Sequence, residues 1–289
     1  MLHCIYFIYL LVIMLIGVFL SWLILTEFCL GQKVITIPLI KRNGTSTIRS
    51  RSRQLSGTSV PLTNYFNNEY VGLLGVGTPA QYLTVVFDTG SSDVWFPSKS
   101  CTTCAKHKTF DGSASSTYEK VYIHGLAKTF TINYGSGSVE GEVAKETLTL
   151  QDLKLNEMSI GEVTTEDPTI AAFDMDGICG MAFSGLSIVS KPTFLDVMFT
   201  SNPTLNKSFS VYLNSNPNGV HTSSLTFGGY DLSIVGNQAS FHYTPVVRYS
   251  SALTYWSVSM IGFEVGLMPN VASKTDDDSV VALSMCVYG

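Results

Sequence analysis

Charge is what this sequence has least of. Lys, Arg, Asp and Glu make up 13% of its 289 residues, where globular domains carry about 25%. The shortage is uneven. Between Cys4 and Leu25 no side chain is charged, and between Gln32 and Ser59 there is no acid. That second stretch holds Lys33, Lys41, Arg42, Arg49, Arg51 and Arg53, whereas residues 60–289 hold 21 acids against 11 bases. An acidic folded part beside one short basic stretch argues against a nucleic-acid-binding domain, which would present a basic face. Sustained helical periodicity is lacking, and no unit of about 20–50 residues repeats, which excludes a solenoid. What is abundant is Gly, Ser, Thr, Tyr and Val, with apolar residues at 45%. That mix predicts an all-β chain with a sizeable core.

The uncharged run 4–25 is longer than the apolar core of most signal peptides, about 7–15 residues, and long enough to span a bilayer. Small residues at Cys29 and Gly31 suit a cut ahead of Gln32. Residues 1–31 therefore read as a signal peptide or a signal anchor, and both predict routing to the secretory pathway. Membrane contact is expected only through this segment if it stays uncleaved. Residues 32–59 read as a basic prosegment on an acidic domain, a contact that would weaken as carboxylates protonate; a plain solvated tail is the blander alternative.

Cysteines are few. Cys4 and Cys29 belong to the leader, and Cys101 and Cys104 form a C-x-x-C pair that predicts a small disulfide loop in an oxidising compartment. His107 adds zinc-like spacing, but no fourth ligand stands nearby, so no metal and no cofactor is expected. Cys179 reads as a buried core thiol and Cys286 has no evident partner. Asn43 and Asn206 each begin an N-x-Ser/Thr glycosylation pattern.

From about Val60 onward the chain reads as strands and turns. Tyr70 to Pro79 is expected to be a strand broken by turn residues, and Tyr82 to Phe87 an apolar, buried strand ending at Asp88. Phe130 to Tyr134 alternates with period two and leads into Gly135-Ser136-Gly137, which predicts a hairpin with a glycine-rich tip. Phe173 to Ala182 reads as one more glycine-punctuated strand, Pro192 to Phe199 as a short helix, and Phe209–Leu213 and Ser224–Gly229 as strands.

Asp88 sits in Phe87-Asp88-Thr89-Gly90-Ser91-Ser92-Asp93-Val94-Trp95. An Asp at a strand end is ordinary turn chemistry, yet a turn does not require the Ser-Ser-Asp-Val-Trp that follows. Here the sequence resembles the pepsin and cathepsin D family of aspartic endopeptidases, from about Val60 to about Val265. Tyr65, Glu69-Tyr70, Gly75 to Pro79, Tyr134 to Gly137, Asp176 to Gly180, Phe209 to Leu213 and Leu225 to Gly229 follow the family pattern in order. Lys33 to Leu39 looks like the start of that family's prosegment.

The resemblance implies a pepsin-like, bilobal all-β fold with a complete N-lobe at 60–238 and a C-lobe only begun at 239–289. It implies a polypeptide substrate, hydrolysed at acidic pH by water activated between two aspartates, outside the cell or in an acidic vacuole or lysosome. Asp88 would be one of the two, with Gly90 allowing close backbone approach, Ser91 hydrogen-bonding Asp88 and Thr89 bracing against the other lobe. Tyr134, Gly135 and Ser136 would form the flap over substrate, with Trp95 as hydrogen-bond partner of Tyr134; ordinary core packing is the alternative for both aromatics.

A second Asp-Thr-Gly occurs nowhere in the 289 residues. Beyond the Trp256 strand, Val280-Val281-Ala282 is the apolar lead-in the family pattern implies, but Leu283-Ser284-Met285 follows it. Three readings stand: a truncated product of a protease gene, a non-catalytic lobe that binds peptides or a partner, or a lobe that dimerises to pair two copies of Asp88.

Overall fold

The computed structural model describes residues 34–43, 68–213, 223–235, 241–248 and 251–259. The leader 1–31, the rest of the basic segment, Cys286 and everything from 260 onward lie outside them. Side chains of residues 40–43, 68 and 69 are likewise outside, Asn43 included. Among the described residues no helix is long and apolar enough to cross a membrane.

The architecture is all-β. In chain order the strands are β1 (Ile35–Pro38), β2 (Ile40–Asn43), β3 (Asn68–Val76), β4 (Gln81–Asp88), β5 (Val94–Pro97), β6 (Glu119–Lys120), β7 (Tyr122–Ile123) and β8 (Leu126–Ala127). They continue with β9 (Thr129–Tyr134), β10 (Gly137–Leu150), β11 (Leu153–Glu166), β12 (Gly177–Gly180), β13 (Phe209–Tyr212) and β14 (Ser224–Phe227). Among the described residues there are also two short α-helices, α1 (Phe194–Ser201) and α2 (Leu232–Val235), and 3-10 turns at Gly112–Ala114 and Ile170–Ala172. One large sheet runs β2-β3-β4-β12-β5-β11-β10-β6, with β9 also on β10; β1-β14-β13 and β7-β8 form smaller ones.

Side-chain alternation explains the layers. On β4, Leu83 and Val85 are buried while Tyr82 faces solvent. They join Leu74, Val76, Phe96, Leu148, Leu155 and Ile160 in the larger core cluster. A second cluster gathers Trp95, Phe130, Ile132, Val139, Val143 and Val163 under the β9–β10 hairpin.

Several expectations shift in detail. β3 is continuous to Val76 and the turn begins at Gly77, whose φ is 89°. Gly72 does not break the strand; a Cβ there would meet the ring of Phe87 at 2.9 Å, so its role is close packing. Only Gly177–Gly180 of the 173–182 stretch is strand. Ahead of it, Asp176 takes a tethering role: its carboxylate accepts from the amide and hydroxyl of Thr84 and from the amide of Lys108. α1 starts at Phe194 because Thr193 caps it reciprocally with Asp196. The expected strand at Trp256 is only an isolated bridge: Val258 bridges Val246, and Trp256 packs on Phe183 and Phe209 and donates to the Met181 carbonyl.

The start of the basic segment is woven into the sheets rather than lying on them. β1 pairs antiparallel with β14, β2 pairs with β3, and Ile35, Ile37 and Leu39 are buried.

Candidate active site

Three strands build the site. β12 runs parallel to β4, with Cys179 opposite Phe87 and Gly180 opposite Asp88, and antiparallel to β5. The chain leaves β4 at Asp88, turns through residues 89–93 and returns on the other side of β12. Amides of Met181 and Ala182 donate to the carbonyls of Asp88 and Ser91 at 2.7 and 2.8 Å, and the amide of Gly180 to that of Asp93 at 2.9 Å. This requires glycine at 180: a Cβ would lie 2.6 Å from backbone atoms of Ser92 and Asp93.

The turn aims the Asp88 carboxylate and fixes its plane. The amide of Gly90 donates to Oδ1 at 2.8 Å and the hydroxyl of Ser91 to Oδ2 at 2.5 Å. Asp88, Thr89, Gly90 and Ser91 are all half-buried, so the group stands at the surface of the lobe and not in its core.

Tyr134 ends β9, and the exposed Gly135 and Ser136 form the hairpin tip. Gly137 closes the tip at φ 145°, a conformation L-side chains rarely adopt. The fully buried indole of Trp95 donates from Nε1 to the Tyr134 hydroxyl at 2.7 Å. Burial, chiefly, pushes the Tyr134 phenol well above its ordinary value; the charges of Asp88 and Asp93 add to this, while hydrogen bonds with Trp95 and Ser91 oppose it. Tyr134 is thus a neutral hydroxyl in electrical contact with Asp88. The expected Tyr134–Trp95 bond is present, and Ser91 holds Asp88 as a second pair.

Asp93 has a different task. Its buried carboxylate accepts from the Ser187 hydroxyl at 2.6 Å and from the amides of Ile188, Val189 and Ser190 at 2.8–3.1 Å. It ties the loop after β12 to the start of β5. The signal in the sequence was a lone acid entering an apolar strand, which has to be paired.

Cys101 and Cys104 form the expected disulfide, with Cα atoms 5.6 Å apart. Both ring nitrogens of His107 have protein partners. Its Nδ1 lies 3.0 Å from the Glu166 carboxylate and its Nε2 3.0 Å from the Phe173 carbonyl. Two acceptors demand two N–H donors, so the geometry calls for the imidazolium. Burial pulls His107 down, yet the Glu166 hydrogen bond and charge, the Phe173 carbonyl and the charge of Asp176 together raise it. Among the described residues no group of three or more His, Cys, Asp or Glu is placed to hold a metal. Cys179 is a free, fully buried thiol beside the site; burial first, then the charge of Asp88, pushes it up into the unreactive range. Asn206 is exposed.

A carboxylate clamped at a strand end and overhung by a tyrosine on a glycine-tipped hairpin defines a class, and comparison with known proteins agrees with it. Residues 69–281 match the family described as eukaryotic aspartyl protease. The chain belongs to that family. It is 37% identical over 213 residues to cathepsin E of Rattus norvegicus, covering 73% of this chain and 51% of that protein. It is 36% identical over 215 residues to cathepsin D of Clupea harengus, covering 72% and 51%. With the vacuolar aspartic protease of Candida albicans the identity is 37% over 213 residues, covering 71% and 48%. The chain therefore spans about half the length of the curated relatives it matches.

Proposed function

We propose that this chain supplies the Asp88-bearing half of an aspartic endopeptidase that works in an acidic compartment. The observation that carries this reading is the Asp88 carboxylate, fixed at the end of β4 by the Gly90 amide and the Ser91 hydroxyl. Direct hydrolysis needs a base to take a proton from water as its oxygen bonds the peptide carbon. It also needs an acid to protonate the carbonyl oxygen as its π electrons move there; the C–N bond then breaks and nitrogen takes up a proton. One carboxyl group cannot fill both roles at once. Two carboxylates about 3 Å apart share a single proton, and their titration belongs to the pair. Asp88 suits one place in such a pair, and Asp93, buried and committed to the 187–190 loop, does not suit the other. On this reading the second carboxylate comes from outside the described residues, and Thr89, half-buried beside Asp88, braces the join.

A peptide would lie between Asp88 and the tip at Gly135 and Ser136, with Tyr134 closing over it. The basic segment 32–59 would act as prosegment, its first strand threaded beside β14 and its contact with the acidic domain loosened in acid. Similarity to cathepsins and a vacuolar protease supports a secretory route ending in a lysosome, a vacuole or outside the cell, and the exposed Asn206 would then be a glycan acceptor.

The test is hydrolysis of a denatured protein between about pH 3 and 6. It compares the 289-residue chain with the same chain joined after residue 281 to the C-terminal half of rat cathepsin E. The joined protein is expected to cleave and the chain alone is not. Cleavage by the chain alone, abolished by Asp88→Ala, would instead favour two copies pairing their Asp88 residues.

A further inference from the structure

The β7–β8 hairpin does nothing for the site above, yet it carries three exposed large apolar side chains within five residues. Tyr122, Ile123 and Leu126 are 61%, 49% and 75% exposed. The register pairs Ile123 with Leu126 and Tyr122 with Ala127. Cross-strand partners share a face and neighbours along a strand do not. Both faces of the ribbon are therefore apolar. His124 and Gly125 close the tip with φ of 51° and 79°, the doubly positive turn whose twist matches paired strands. At the base the ribbon is bonded to β10: the amide of Val121 donates to the Val143 carbonyl at 2.9 Å, and that of Val143 to the Lys128 carbonyl at 2.7 Å. The tip is thus a firm projection, since Val121 and Lys128 at its base are half-buried while residues 122–126 are exposed.

Shape and charge decide what such a tip fits. Both faces of this ribbon are apolar, so an occupant that covers only one would leave the other in water. A lipid surface surrounds an inserted tip on every side without needing complementary shape, and Tyr side chains favour its boundary. Charge agrees. From Val121 to Val139 the chain has no acid, and Lys128 stands at the ribbon's base. The nearby Glu142 is paired with Lys120 at 2.5 Å. A cation such as Lys128 close behind an apolar tip is drawn to phospholipid headgroups.

We infer that the β7–β8 hairpin is a lipid-contact element that dips Tyr122, Ile123 and Leu126 into a phospholipid surface. The contact is separate from the leader at residues 4–25 and from the Asp88 site.

Hydrogen exchange of the full chain locates the contact residue by residue, so any insertion of the leader is read separately. It is measured with and without phosphatidylcholine–phosphatidylserine vesicles. Vesicles are expected to slow exchange several-fold across residues 121–128 while leaving the Cys101–Cys104 loop unchanged. The double variant Ile123→Ser, Leu126→Ser is expected to lose that protection while β10 and β11 exchange as in the wild type. Hairpin exchange unaltered by vesicles would overturn the inference. So would protection that appears without vesicles as protein concentration rises, which would mark the tip as a contact between copies, or protection equal in wild type and variant.

Discussion

Tyr134 and Trp95 depend on each other more than on sequence position. Replacing Tyr134 with Phe leaves the buried Trp95 Nε1–H without its acceptor, at a cost of about 1–3 kcal/mol. Urea unfolding of the Tyr134→Phe chain should show that loss, and an unchanged midpoint would mean another acceptor takes over. His107 makes a pH-dependent contribution. Because its folded pKa is raised, the stabilisation is fully present below the unfolded value of about 6.5 and is lost as pH rises through the folded value. The stability advantage of wild type over His107→Gln should therefore shrink on going from mildly acidic to alkaline solution. An advantage constant across that range would show that the ring is not held as an imidazolium. Asp88 was legible in the sequence because its donors, Gly90 and Ser91, lie within three residues of it. The task of Asp93 was not, because the groups it binds follow it by 94–97 residues.

At the scale of elements, glycines on β12 do what side chains cannot. A Cβ at Gly177 would lie 2.4 Å from the Trp95 carbonyl oxygen, a backbone atom with little room to yield. Gly177→Ala should destabilise by about 3 kcal/mol or more, in the range of severe overpacking, and should disturb β5 and β4 together; a loss below about 1 kcal/mol would show that the strands separate easily. The hairpin β9–β10 and the strands β4, β13 and β14 could be read from alternation and turn residues alone. The stretch ahead of Gly177 could not, since Asp176 is committed to Thr84 and Lys108 and holds the backbone out of the ladder. The helix was expected from Pro192, but the box between Thr193 and Asp196 sets its first turn later.

For the whole molecule, the all-β class followed from composition and alternation, whereas the partners of β1 did not. Thr36 meets Thr226 across 190 residues of chain, and no local pattern encodes a pairing at that distance. The consequence is energetic. Ile37 is 3% exposed and packs in the main cluster, so Ile37→Ala should cost about 2–5 kcal/mol. A basic segment merely resting on the surface would lose far less.

On the reading proposed above, Asp88 is one of two carboxyl groups acting on a shared water. This is tested most directly in the chain joined after residue 281 to the C-terminal half of rat cathepsin E, by comparing kcat/KM for a denatured protein in acid with Asp88 intact and with Asp88→Asn. The amide keeps the acceptor oxygen and the shape, but it can neither take the proton from water nor hold one for the carbonyl. A loss of about 10³-fold or more is predicted. Hydrolysis that survives Asp88→Asn within a few-fold would contradict the account.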